Sequence, residues 1–267
     1  MINETKVGTQ QTLNAHRERA LAGISPRARG KHKEHIALKW IYKWGWSAPS
    51  IIDHLAGNVG RGLASRLVKR NLLIETRTGN GGITKGVPSK ILTLTRTGLN
   101  EVERQLNADE LLPYELDPHK IKQDLLRHGM CAQKVTAQVM HTDKFVGFQT
   151  EKEIQRIAEA GVKQHDVLWQ IDTAMVGVEI ELTAKWGRAF DQFILGCVQS
   201  LESGTIQQLF ILSDAPAIVK RYKEALTGGK SINRWVQNNK RFWEVKGSIA
   251  LPDGIERKVI CREFKDY

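Results

Sequence analysis

The chain has 267 residues, a length that suits one large domain or two modest ones. Hydrophobic residues make up 41% and charged residues 26%, which excludes a disordered or low-complexity chain. No apolar run reaches the roughly 18 residues of a membrane span, and the three cysteines lie far apart in the sequence. These features predict a cytoplasmic protein with no membrane partner, no disulfide framework and no cysteine-based metal site.

The net charge of +11 is concentrated at one end of the chain. Residues 1–110 hold 18 Lys and Arg against 9 Asp and Glu, whereas residues 111–267 hold 22 against 20. A membrane surface or an acidic protein would attract such a region, but the phosphate backbone of nucleic acid is the commoner partner. The charge therefore predicts a basic binding domain followed by a nearly neutral second domain.

The N-terminal third has the pattern of a helix-turn-helix. Residues 1–33 predict a flexible basic arm, in which Arg27 and Arg29 would contact phosphates or the minor groove. Helical periodicity begins at residue 34, and a second short helix follows Ser47, the expected N-cap. After a Gly-containing turn, a third, basic helix is predicted over 59–70. Its candidate DNA contacts are Arg61, Arg66, Lys69 and Arg70.

Residues 72–95 change to the period of a strand. Two apolar strands flank a Gly-rich tip, a pattern typical of a basic β-wing that carries Arg77, Lys85 and Lys90. A helix follows the second strand. We therefore predict a winged-helix domain over 34–106, the alternative being an unrelated small α+β domain, and a linker rich in acidic residues and proline over 107–117.

The second domain is predicted over 118–267. Its elements begin with a long helix from Pro118 toward His141 and end with a helix near 231–240 and a pair of strands at 243–251 and 257–263. Between these we expect a strand at 144–149, a helix at 150–161, a hairpin at 165–171 and 175–182, a helix at 187–202, a buried strand at 207–213 and a helix at 215–226.

Three carboxylates converge in the predicted hairpin. A turn centred near Thr173 pairs residue 166 with about residue 180, so Asp166 lies across from Glu179 and Glu181. Such close negative charges repel unless a cation or basic side chains neutralise them. A cluster of carboxylate oxygens suits Mg²⁺ or Mn²⁺, which would polarise a phosphate. The alternative is that the glutamates face solvent or pair with Lys185 and Arg188.

These elements resemble a known nuclease core. The order helix, strand, hairpin, helix, strand resembles the αβββαβ core of the PD-(D/E)XK nuclease superfamily, with His165-Asp166 in place of Pro-Asp and Glu179-Ile180-Glu181 in place of (D/E)-x-K. The missing lysine is a departure that Lys185 could compensate. The resemblance implies Asp166, Glu179, Glu181 and Lys185 as catalytic residues, and Asp166, Glu179 and the upstream Glu151 as metal ligands.

A winged helix ahead of such a core also resembles the MobC-type plasmid mobilization relaxases and the replication-relaxation group. This resemblance implies an α+β and α/β fold, with a winged helix-turn-helix followed by a restriction-endonuclease-like domain. It further implies metal-dependent nicking of double-stranded, supercoiled plasmid DNA at a transfer origin, with mobilization or relaxosome proteins and a second copy of the chain as candidate partners. Two alternatives stay open: an endonuclease that cuts both strands, and a non-catalytic DNA-binding factor for plasmid replication control, transcription or relaxosome assembly.

Overall fold

The computed structural model describes residues 25–57, 62–157 and 163–264. It divides the chain into two compact units, Met1–Thr142 and Asp143–Tyr267. Helices and strands occur in both units, so the protein is of the mixed α+β class that the sequence predicts. Within the described ranges, no helix is both long enough and apolar enough to cross a membrane.

The first unit consists of helices and one small hairpin. In chain order its elements are α1 (Pro26–Trp44), α2 (Pro49–Leu55), α3 (Leu63–Lys69), β1 (Leu73–Arg77), β2 (Lys90–Leu94), α4 (Arg96–Glu103), three short 3₁₀ turns (Ala108–Glu110, Pro118–Lys120, Gln123–Leu125) and α5 (Leu126–Val139). The strands β1 and β2 are antiparallel, with Leu73 opposite Leu94. Ser47 pairs with Leu92 of β2 as an isolated antiparallel β-bridge, through two backbone hydrogen bonds of 3.0 and 2.8 Å.

Helix α1 begins eight residues earlier than the hydrophobic pattern predicts. Its N-cap is Ser25, whose hydroxyl accepts a hydrogen bond from the Ala28 backbone nitrogen at 3.2 Å. Pro26 at the first helical position fixes a helical φ without losing a bonded N–H. The prediction of a flexible arm is therefore wrong for residues 26–33, and residues 1–24 lie outside the described part. The first turns of α1 are exposed, so their sequence has no apolar periodicity from which a helix could be predicted.

Helices are present within the second and third helical segments that the sequence predicts, with one corrected cap. The apolar residues expected to point inward from α2 and α3 are buried, namely Ile51, Ile52, Leu55, Leu63 and Leu67. The N-cap of α2 is Ala48 rather than Ser47, because the Ser47 hydroxyl instead donates to Oε1 of Gln133 at 2.7 Å. Residues 58–61, at the start of the predicted third helix, lie outside the described residues.

The boundary between the units falls after α5, whereas the sequence predicts a second domain from residue 118. Gln133 of α5 is fully buried and accepts hydrogen bonds from Trp40 and Ser47, while its amide donates to the Trp46 carbonyl at 3.0 Å. The segment predicted as a linker over 107–117 is also fixed, because Leu112 exchanges two hydrogen bonds with the Tyr42 hydroxyl. These contacts hold both segments in the first unit.

The second unit contains a five-stranded mixed sheet and a separate hairpin. Its elements are β3 (Phe145–Thr150), α6 (Glu151–Ile157), β4 (Val167–Ile171), β5 (Ala174–Ile180), α7 (Gly187–Glu202), β6 (Gln208–Ser213), α8 (Pro216–Ala225), β7 (Ser231–Gln237), β8 (Trp243–Ala250), a 3₁₀ turn (Ile255–Arg257) and β9 (Val259–Glu263). The sheet order is β3-β4-β5-β6-β9. The first three strands are antiparallel, and β6 is parallel to both β5 and β9.

Two predictions near the end of the chain are wrong. Residues 231–237 form β7 instead of a helix, and β7 pairs with β8 to make the separate hairpin. Strand β9 pairs with β6 instead of with β8. The hairpin is closed by Asn238, whose backbone nitrogen donates to the Phe242 carbonyl at 2.8 Å, and by the positive φ of Arg241.

Helix α7 covers one face of the five-stranded sheet. Its apolar residues pack against the sheet and against α8 in a core that includes Phe193, Ile194, Cys197, Val198, Leu201, Leu168, Leu209, Ile211, Ile218 and Tyr222. Glu179 is in register with Ile211 on the neighbouring strand, so it lies on this covered face. Glu179, the acidic residue of β5, is therefore beneath α7 and not on an open sheet surface.

Candidate functional site

Helix α3 exposes a row of cationic side chains. Arg66, Lys69 and Arg70 are exposed, whereas Leu63 and Leu67 on the opposite side are buried. Arg70 forms an ion pair with Glu34 of α1. The Arg66 side chain forms no hydrogen bond or ion pair with any described residue. Arg61, the fourth predicted contact of this helix, lies outside the described residues.

A groove of about 780 Å³ lies between α1, α3 and α4. Its cationic lining comes from all three helices and comprises Arg27, Lys31, Arg66, Arg70 and Arg104, against the two acidic residues Glu34 and Glu101. Burial and the nearby positive charges of Lys39 and His32 lower the pKa of His35, which also lines the groove. The groove therefore has a positive potential that favours an anion.

The other predicted DNA contacts of the first unit are on its surface. Arg27 and Arg29 are exposed in the first turn of α1, and Arg77 and Lys85 are exposed on β1 and on the segment between β1 and β2. Lys90 is held by Glu75 across the hairpin, with its Nζ 2.6 Å from Oε1. Arg77 and Lys85 are therefore more exposed than Lys90.

The β4–β5 hairpin brings Asp166 next to Glu179. Val167 is opposite Val178, so Asp166, immediately before β4, is opposite Glu179 rather than residue 180. The carboxylate of Asp166 accepts a hydrogen bond from the Ile180 backbone nitrogen at 2.7 Å. The turn itself was correctly predicted, and Asp172 adopts a left-handed φ of 49° there.

Glu179 is buried in a network with two basic side chains. It is 3% exposed, and its Oε1 lies 2.8 Å from Nζ of Lys163 and 2.6 Å from Nδ1 of His165. Burial alone would lower the pKa of Lys163, but the charge of Glu179 and the hydrogen bond to it raise that pKa overall. Glu179 and Lys163 therefore form a buried ion pair.

Glu181 has a second set of partners. It is also 3% exposed, forms an ion pair with Lys185 and accepts a hydrogen bond from the Tyr222 hydroxyl at 2.9 Å. Burial raises the pKa of Glu181, although Lys185 and Tyr222 oppose this shift. Burial and the neighbouring negative charge of Glu181 also raise the pKa of Tyr222.

The two ion pairs share one aromatic neighbour. Nζ of Lys163 lies 4.7 Å from the ring centroid of Phe193, and Nζ of Lys185 lies 4.5 Å from it. Cys197 is fully buried nearby, and its burial, followed by the charge of Glu179, raises the pKa of its thiol well above the ordinary value. We call Lys163, His165, Glu179, Glu181, Lys185 and Tyr222 the acid–base cluster.

The carboxylates of this cluster do not fit a divalent cation as they are arranged. Within the described ranges, no three His, Cys, Asp or Glu side chains are grouped so that they could hold a metal ion. Glu151, the predicted third ligand, is exposed at the start of α6 and accepts a hydrogen bond from Gln155 at 2.9 Å. Oε1 of Glu179 and Oε1 of Glu181 each already contact a lysine ammonium group.

The sequence did not indicate two members of the cluster in these roles. Lys163 precedes β4 in an irregular segment, where no periodicity marks a side chain as buried. Tyr222 lies in α8, and its hydrogen bond to Glu181 joins residues 41 positions apart. The only available signal was chemical, since buried glutamates require basic or hydroxyl partners.

Comparisons with protein-family models, curated proteins and solved structures find no match for this chain. The described residues define a mixed α+β protein with two charged features. One is a cationic groove and helix surface in the first unit, and the other is the acid–base cluster in the second.

Proposed function

We propose that the protein binds double-stranded DNA through its first unit. The observation that carries this proposal is the cationic groove, to which α1, α3 and α4 all contribute. Three helices followed by a hairpin, with Ser47 bridged to the second strand, support the prediction of a winged helix. Duplex DNA offers the extended anionic surface that such a distribution of charge would bind.

Each basic residue has an expected role in this interface. Helix α3 would enter the major groove, where Arg66, exposed and without an ion-pair partner among the described residues, is the best candidate for a base edge. Lys69 would contact the phosphate backbone beside it. Arg77 and Lys85 would hold the adjacent backbone from the hairpin, and Arg27 would extend the contact along α1.

The salt dependence of duplex binding tests the proposal. Arg66→Gln and Lys69→Gln should each weaken binding, and Lys69→Gln should reduce the slope of log K against log [salt] by about one. The matched control is Lys120→Gln, which removes an exposed charge already paired with Glu115. Fluorescence anisotropy with a labelled duplex measures both quantities. Salt-independent binding, or equal slopes for all three variants and the wild type, would contradict the proposal.

A second candidate function, strand cleavage, is favoured by the position of Asp166. It lies opposite Glu179, immediately before β4 and close in sequence to Lys163. The antiparallel β3-β4-β5 order, followed by α7 and the parallel strand β6, is also the order expected for a PD-(D/E)XK core. Metal-dependent nicking at a plasmid transfer origin, with mobilization proteins as partners, stays a prediction, because the carboxylates do not form a ligand set as arranged.

A plasmid assay separates cleavage from binding alone. Supercoiled plasmid is incubated with the protein and Mg²⁺ or Mn²⁺, and the products are resolved on a gel. A nicking enzyme gives open circles that Asp166→Asn and Glu179→Gln abolish, while an enzyme that cuts both strands gives linear plasmid. Equal products from wild type and variants, or none from either, would leave duplex binding as the function.

A further inference from the structure

The second unit has an exposed aromatic surface that neither proposed function uses. It consists of Trp186, Arg188, Arg221, Phe242 and Trp243, which we call the aromatic–arginine surface. Trp186 and Phe242 are each 69% exposed, and Trp243 is 42% exposed. Large aromatic side chains stabilise a folded protein most when they are buried. Three of them exposed in one region therefore indicate a binding surface.

Two of the aromatic rings are paired with arginines, one with Arg188 of α7 and the other with Arg221 of α8. The guanidinium of Arg221 lies 3.7 Å from the ring centroid of Trp186, and that of Arg188 lies 4.3 Å from the ring centroid of Trp243. Trp186 is the N-cap of α7 and Arg188 is in its first turn, so both pairs meet there. Each guanidinium covers one face of its ring.

The β7–β8 hairpin is held against α7 by hydrogen bonds. Asp191 of α7 accepts from Nε1 of Trp235 at 2.7 Å and from Nδ2 of Asn233 at 3.1 Å, both on β7. This tether fixes Trp243 and the hairpin tip relative to the first turn of α7. The surface is therefore organised before any partner binds, which reduces the ordering cost of binding.

The charge around these rings favours an anionic partner. Residues 231–250 contain four basic residues and one acidic residue, Glu244. Lys240 and Arg241 are exposed at the tip beside Phe242. Exposed rings that stack on bases, with cations for the phosphates between them, are the features by which proteins bind unpaired nucleic acid strands. The bases of duplex DNA are not available to stack on these rings, because they are already stacked on one another.

We propose that the aromatic–arginine surface binds a single strand of nucleic acid. Bases stack on Trp186, Trp243 and Phe242, and Arg188 and Arg221 hold the rings in place and attract the phosphates. This site goes beyond duplex binding and does not depend on it, since it uses different residues in a different unit.

The test compares a strand that has bases with one that lacks them. The probes are a labelled oligo(dT) of about 15 nucleotides and an abasic oligomer of equal length, measured by anisotropy. The full chain carries Arg66→Gln and Lys69→Gln, which weaken nucleic-acid binding by the first unit. In this background, oligo(dT) should bind more tightly than the abasic strand, and Trp186→Ala or Trp243→Ala should each weaken oligo(dT) about tenfold.

Control variants separate stacking from folding. Trp243→Phe keeps an aromatic ring and should retain most of the affinity, and Ile249→Ala removes an exposed apolar side chain of the same strand. Equal affinity for oligo(dT) and the abasic strand would overturn the proposal. The proposal would also be overturned if Trp186→Ala and Trp243→Ala bound oligo(dT) with an affinity within twofold of that of Ile249→Ala. Oligo(rU) is measured in parallel. If oligo(dT) or oligo(rU) binds more tightly than the abasic strand, comparing the two affinities identifies the preferred sugar. Duplex affinity of the tryptophan variants, measured separately, should not change.

Discussion

The buried ion pair between Lys163 and Glu179 makes a strong prediction about stability. The side chains of Lys163 and Glu179 are 14% and 4% exposed, and Nζ lies 2.8 Å from Oε1. Among the described residues, Lys163→Met leaves the buried carboxylate with His165 as its one basic partner. Losing one partner of a buried pair costs about 3–5 kcal/mol, so we expect a loss of that size in the free energy of unfolding at pH 7.

A second substitution should reverse part of this loss. In Lys163→Met/Glu179→Met both charges are absent, and an apolar side chain occupies each position. Replacing a buried ion pair by apolar residues of similar volume is often neutral or stabilising. The double variant should therefore recover part of the stability that Lys163→Met loses, but not all of it, because the buried Nδ1 of His165 loses its partner Glu179. Urea denaturation followed by circular dichroism measures both changes.

An exposed pair in the same unit provides the control. Nζ of Lys144 lies 3.3 Å from Oδ2 of Asp172, but the two side chains are 74% and 59% exposed. Lys144→Met should therefore cost less than about 1 kcal/mol, because water screens the pair. If Lys163→Met costs no more than Lys144→Met, or if the double variant is as unstable as the single one, the reasoning from burial is refuted.

The same pair has a defined pH dependence. Because the pKa of Lys163 is raised in the folded protein, its contribution is complete below the unfolded pKa of about 10.5 and is lost as pH rises through the higher folded value. The stability difference between wild type and Lys163→Met should therefore stay constant through neutral pH and shrink above about pH 10.5. A difference that shrinks on acidification below neutral pH would assign it to another group.

Two further predictions concern the first unit and are measured by urea denaturation. Gln133→Ala leaves a buried indole N–H and a buried hydroxyl without their acceptor and should cost about 3 kcal/mol or more, whereas Gln138→Ala, at an exposed position of α5, should change stability by less than about 0.5 kcal/mol. Gly98→Ala places a Cβ 2.1 Å from the Leu72 carbonyl oxygen and should destabilise the unit by more than about 1 kcal/mol, whereas Gly30→Ala, with nothing within 4 Å in α1, should stabilise it by about 1 kcal/mol. Equal effects within either pair would contradict the packing described.

Local patterns were sufficient to predict most elements of the second unit. Helix α7 begins and ends at the predicted residues 187 and 202, because its apolar face packs on the sheet along its whole length. The turn at Asp172 follows from two apolar strands that flank a short polar segment. The proximity of Asp166 and Glu179 was predicted to within one residue of register, since pairing in a short hairpin is fixed by its turn.

Other features depend on contacts that no local pattern records. Gln133 has the composition of a surface position, yet its three hydrogen bonds keep α5 in the first unit. Residues 231–237 were predicted to be a helix, and β8, their partner in the hairpin, lies beyond the window that defines helical periodicity. Of the two partners of Glu181, Lys185 is four residues away and was predicted as a possible partner, whereas Tyr222 of α8 is 41 positions away, and no local pattern indicated it.

The order of strands has a consequence for synthesis on the ribosome. Strand β9 pairs with β6 although α8 and the entire β7–β8 hairpin intervene between them. Until residues 259–263 emerge from the exit tunnel, β6 is an unpaired edge of the growing sheet, with Leu209 and Ile211 available to other nascent chains. Parallel pairing across a long loop is also slow. The second unit therefore completes its sheet only after β9 has been synthesised, and during this interval the open edge of β6 favours misassociation.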